Sequence, residues 1–114
     1  MRYVLMMALL VLGAGMALAQ SGSDGLGDSY YPQLGNGGYD VQHYTIELQV
    51  DVDANTISGT ATIEAIATEA LGTFNLDLSG LTVESVLVND EATTFDRDET
   101  ELIITPTTAI MPAR

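Results

Sequence analysis

The 114-residue chain has no cysteine, no tryptophan, no lysine and a single histidine, His43. Without cysteine there is no disulfide, no thiolate nucleophile, no sulfur-rich zinc site and no lipid-modified cysteine at an export cleavage site. A zinc site needs three or four converging ligands, and no second histidine joins His43. Positive charge is equally scarce. Arg2, Arg97 and Arg114 are the only basic residues against 16 acidic ones, for a net charge of −13. Such a chain is repelled by phosphate backbones and anionic lipid surfaces, so nucleic acid is not an expected partner. "GNGG" at residues 35–38 is not a phosphate loop, because no lysine follows and the next segment has a strand pattern.

What is present begins with an export signal. In "MRYVLMMALLVLGAGMALAQ", Arg2 forms a short basic n-region, residues 3–12 are apolar, and the end is built of small residues. Ala17 and Ala19 stand at the −3 and −1 positions of an A-x-A-like site, which places cleavage between Ala19 and Gln20. An uncleaved membrane anchor is the alternative, but Gly13 and Gly15 interrupt a stretch already at the short limit for a span. The expectation is a secreted or extracytoplasmic protein with no stable membrane span once residues 1–19 are removed. The mature chain keeps two arginines against 16 acidic residues, a charge of −14. Residues 20–38 are rich in Gly and Ser, lack periodicity and read as a flexible lead-in, with Tyr30, Tyr31 and Pro32 its bulkiest cluster.

From Tyr39 the pattern becomes one of strands. Tyr44, Ile46, Leu48, Val50 and Val52 alternate with Glu47, Gln49, Asp51 and Asp53, the mark of a long half-buried strand. "DANT" at residues 53–56 is a turn. Ile57, Gly59, Ala61, Ile63, Ala65 and Ala67 then alternate with polar residues, a second strand hairpin-paired with the first. "TFNLDL", "LTVESVLV", the residues around 92–95 and "ELIIT" supply further strands, with a bulge expected near Glu84 and Ser85 and turns at Asn89 and Asp90 and at "DRDET". Helix is not expected. The fold class is therefore all-β, an antiparallel sandwich or curved two-layer sheet, over residues 39–114.

Three features invite a chemical reading. His43 falls on the polar face of its strand, where an exposed or cross-strand-paired imidazole is the simpler account. "DVDAN" at residues 51–55 begins like a calcium loop, but Thr56 stands where glycine is needed and Thr62 where a bidentate glutamate is needed. Asp96, Asp98, Glu99 and Glu101 surround Arg97 in "FDRDETE". Paired carboxylates can do acid–base work when burial separates their pKa values, yet a hairpin tip exposes them to water.

The segment running from "YYPQLGNGGYDVQHYTIELQV" through "FNLDLSGLTVESVLVND" resembles the opening of the aminopeptidase-N-like zinc metallopeptidases, the group that includes leukotriene-A hydrolase. Tyr39-Asp40-Val41-Gln42-His43-Tyr44 matches the family's Y-D-V-x-H-Y strand, followed by Ile57-Ser58-Gly59 for I-x-G. The stretch from Phe74 to Val83 matches F-x-L-D-L-x-G-L-x-V, and that from Val86 to Asn89 matches V-x-V-N. The resemblance spans roughly residues 30–105. It implies the saddle-shaped, non-catalytic N-terminal β domain of such an enzyme, incomplete here, forming one wall of the peptide cleft. The family's zinc ligands lie in a separate domain on a His-Glu-x-x-His helix, a motif this sequence lacks, so no catalytic, cofactor-binding or metal residue carries over. Zinc and peptide substrate then belong to the parent, the expected partner is the remainder of the parent polypeptide, and this chain by itself is expected to be inactive. A self-contained secreted β-sandwich that binds or scaffolds is the alternative.

Overall fold

The structure is a computed structural model and describes residues 18–32 and 34–112. The export signal assigned to residues 1–19 therefore lies almost wholly outside the described residues. Within them the chain is all-β: β1 (Gln20–Ser21), β2 (Tyr39–Asp51), β3 (Thr56–Ala67), β4 (Leu71–Asp77), β5 (Leu87–Val88), β6 (Glu91–Ala92), β7 (Thr94–Asp98) and β8 (Glu101–Thr105).

Three sheets result. β1, β4, β8 and β7 form a four-stranded sheet in that order, β2 pairs with β3, and β5 pairs with β6. All pairings are antiparallel except β1 on β4. The turns follow from residues that tolerate positive φ. Asn55 (φ 54°) closes β2 to β3, Asn89 and Asp90 (φ 51° and 64°) close β5 to β6, and Glu99 (φ 49°) closes β7 to β8. Asn and Asp adopt this region more readily than other non-glycine residues, and the Asp51 carboxylate steadies the first turn by accepting from the Ala54 amide at 3.0 Å.

The core is small. Leu71, Leu102 and Ile104 are buried at 1%, 5% and 2% exposure, with Ala67 beside them. Full burial of a leucine or isoleucine contributes about 1.5–3 kcal/mol each. Phe74, Ile104 and Phe95 stand in one row across β4, β8 and β7, with Leu76 and Leu102 beside them on the same face.

The β2–β3 hairpin is joined to this sheet at its base. The Thr68 amide donates to the Gly38 carbonyl, Tyr39 meets Phe74 edge to face at 5.8 Å, and the Tyr39 hydroxyl donates to the Asn75 carbonyl at 2.6 Å. Gly38 sits at φ +98°, and a Cβ there would lie 2.7 Å from Leu71 Cδ2, so glycine is required at this junction.

Two details depart from the sequence pattern. The bulge in the long strands falls between Val41 and His43, not near Glu84 and Ser85. One extra residue, Gln42, rephases β2 so that Val41 joins the face of Tyr44. Residues 78–86 form no strand, because part of their backbone bonds to a distant side chain, Arg97.

The lead-in, residues 20–38, is tied along β4. Gln20 and Gly22 donate to the Ala70 and Thr73 carbonyls, and Gly37 donates to the Ser23 carbonyl, each near 3 Å. The Asp28 carboxylate accepts from the Tyr30 and Tyr31 amides, while both tyrosine rings stay exposed.

Candidate functional site

The residues that could carry chemistry fall in separate places. His43 lies directly across from Glu64 on the hairpin and is exposed, on the polar face with Thr45, Thr62, Glu47 and Thr60. Asp51 and Asp53 lie at the far end of the same hairpin, beside a shallow open depression also lined by Gln49, Thr56 and Ser58. The Asp51 carboxylate is engaged with its own turn. Gly35 and Asn36 pack against the end of β4, about the length of the hairpin away from Asp53. Gln20, next to the expected cleavage point, is in β1.

The acidic group around Arg97 differs most from its sequence reading. Arg97 is not held by its neighbouring carboxylates. Its guanidinium donates to the Leu81 carbonyl at 2.7 Å and the Leu78 carbonyl at 2.8 Å. It thereby fastens the strandless segment that follows β4, a fixed fork satisfying two backbone acceptors. Glu101 is not at the solvated tip either. It stands on β8 between Asp77 on β4 and Asp98 on β7, all three at one register level and so on one face. Like charges directly opposite are unfavourable.

The electrostatics of this row are set by what surrounds Glu101. Both its carboxylate oxygens are shielded from solvent. Burial, and then Asp77 beside it, hold the Glu101 carboxyl above its ordinary 4.5, with the Asn75 side chain nearby as an opposing influence that favours the ionised form. A proton held between the two carboxyls would supply the donor that neither possesses when ionised. Asp77, by contrast, is exposed and well supplied, accepting from the Gly35 amide at 2.7 Å and from Asn36 Nδ2 at 2.9 Å. Next to it Tyr39 is pushed up to about 12, by burial first and then by Tyr44, Asp77 and Glu101, against a smaller opposing hydrogen bond from Asn36.

Compared with known protein families, with curated proteins and with solved structures, the chain finds no match.

The zinc implied by the family resemblance can be tested against the residues themselves. Among the described residues no three His, Cys, Asp or Glu side chains converge as metal ligands would. The Asp77–Glu101–Asp98 row offers oxygen donors only, aligned across a sheet surface, whereas zinc takes a compact tetrahedral set usually including histidine or cysteine. The row does not fit zinc, and no hydrolytic step follows from it. What the arrangement does is structural. Asp77 anchors the lead-in to β4, Arg97 anchors the segment after β4, and Tyr39 anchors the hairpin to β4. Pattern reading missed all three because each contact joins residues at least 16 positions apart.

Proposed function

We propose that residues 39–114 belong to the non-catalytic N-terminal β domain of an exported zinc aminopeptidase-like metallopeptidase, where they would form one wall of the peptide cleft. The observation that carries this reading is the order of the matching elements along the strands. The Y-D-V-x-H-Y element opens β2, I-x-G lies in β3, F-x-L-D-L begins in β4 with its x-G-L-x-V continuation in the following segment, and V-x-V-N enters β5 and its turn. An all-β domain with β4 at its centre supports the same reading.

On this proposal the parent's zinc-activated water would be supplied by another domain, and the contribution of these residues is shape. The test is to sequence the locus beyond codon 114 in all frames. A downstream His-Glu-x-x-His helix with a following glutamate is the expected result. A verified stop codon with no such motif after it in any frame overturns the proposal and leaves the self-contained secreted β module.

A further inference from the structure

The β2–β3 hairpin has two faces of opposite character. On one, His43, Thr45, Glu47, Gln49 and Asp51 stand across from Glu64, Thr62, Thr60, Ser58 and Thr56. On the other, Tyr44, Ile46, Leu48 and Val50 stand across from Ile63, Ala61, Gly59 and Ile57. That second face is free of charge, yet Tyr44, Ile46, Leu48 and Val50 are 57–68% exposed and Ile57 is 51% exposed. It continues, through Val41 and Ala65, into the buried junction at Tyr39 and Ala67. A large contiguous apolar surface of this kind marks an interface.

We propose that this face is covered by a second copy of the chain, packed hairpin on hairpin. Three observations select that occupant. The face is self-complementary in size: β2 presents the bulky row Tyr44, Ile46, Leu48 and Val50, whereas the middle of β3 presents Ala61 and Gly59. A two-fold axis along the hairpin, between the layers, sets β2 of each copy over β3 of the other, with Ile46 and Leu48 above Ala61 and Gly59. The area is sufficient. The exposed apolar side chains offer on the order of 600 Å² per copy, which places the pair near the lower edge of stable interfaces, about 1,200 Å² in total. The charges permit it. Glu47, Asp51 and Glu64 lie on the outer face of each layer, and sheets stacked about 10 Å apart hold them further from their counterparts than the roughly 8 Å screening length. The result is a four-stranded, two-layer sandwich, the cover that the alternating pattern of β2 and β3 calls for. This inference rests on the hairpin alone and stands apart from the family proposal.

The test is sedimentation equilibrium of the full chain across the micromolar range, with circular dichroism to verify folding. The expected result is a reversible monomer–dimer equilibrium. Ile46→Asp should weaken it by at least about ten-fold, as loss of a central interface anchor does. Thr60→Asp, on the opposite face, should leave it unchanged. Because the chain has no cysteine, a pair of single-cysteine variants decides the geometry even if Ile46→Asp fails to fold. With a short bismaleimide, Ala61→Cys should give covalent dimers and its neighbour Thr60→Cys should not. A chain monomeric throughout, a dimer indifferent to a folded Ile46→Asp variant, or equal cross-linking from both cysteines overturns the proposal. Equal cross-linking would point instead to association through residues outside the hairpin.

Discussion

Glu101 stands directly opposite Asp77 across β8 and β4; Asp77 accepts from an amide and a carboxamide, while the Glu101 oxygens are shielded from solvent. Burial, and then Asp77 beside it, favour the neutral, protonated form of Glu101.

A pH dependence follows with a definite sign. The folded-state pKa of Glu101 is raised above the 4.5 of the free side chain, so the folded chain binds this proton more tightly than the unfolded chain. The stability it contributes is fully present below about 4.5 and is lost as pH rises through the folded value. Glu101→Gln keeps the shape, removes the like-charge contact and should stabilise the chain at pH 7 by about 0.5–1 kcal/mol. Below pH 4.5 the variant and the parent chain should converge. Urea melts at the two pH values check this; a variant less stable than the parent at pH 7 contradicts it.

Asp77→Ala should separate the two roles of that carboxylate. The Gly35 amide loses its acceptor, so its hydrogen exchange should accelerate by about ten-fold, in line with about 1 kcal/mol for one hydrogen bond. At the same time the Glu101 carboxyl should move back down toward its ordinary range, since its nearest like charge is gone. Amide exchange and carboxyl NMR titration read the two effects independently.

Arg97 is a fork between two carbonyls, and that geometry predicts that lysine will not replace it. Arg97→Lys keeps the charge but offers a point ammonium in place of two fixed donors. Because the side chain is exposed, the cost should be modest, about 1–2 kcal/mol, and close to that of Arg97→Gln. If Arg97→Lys were as stable as the parent chain in denaturant melts, the charge rather than the fork would be what matters.

The parts of the fold that sequence reading reached are those governed by neighbours. Alternation at period two identified β2 and β3 and assigned their faces, because pleating places residues i and i+2 together whatever the rest of the chain does. Asn55, Asn89 and Asp90 marked their turns because positive φ is a local demand. What was not legible depends on partners far along the chain. "LTVESVLV", from Leu81, reads as a bulged strand, yet only Leu87–Val88 of it pairs, and Arg97 occupies the Leu78 and Leu81 carbonyls. Gln42 gave no sign of a bulge, since a bulge is set by the pairing of two strands rather than by either one. The Asp77–Glu101 pair arises from the register of β4 on β8, 24 positions apart, and "FDRDETE" alone shows only a charged tip. Whether the apolar face of the hairpin is covered is likewise a property of packing that alternation does not contain.

Tyr39 gives the last test, because its hydroxyl and its ring do separable work at the junction between the hairpin and the four-stranded sheet. The hydroxyl donates to the Asn75 carbonyl and the ring packs edge-on against Phe74. Tyr39→Phe removes only the first and should cost about 0.5–1.5 kcal/mol, the net worth of one hydrogen bond. It should also change the alkaline limb of the stability curve. With a folded pKa pushed up to about 12 from 10.0, the tyrosine contributes stability that is fully present below pH 10 and lost as pH rises through 12. Tyr39→Phe has no such group to ionise, so its deficit against the parent chain should shrink between those two pH values. Near-UV absorbance should show a tyrosine titration at about 12 in the parent that the variant loses. A variant that loses nothing at neutral pH would mean that the hairpin is held to the sheet by the Phe74 contact and the Gly38 carbonyl, with the Tyr39 hydroxyl a bystander.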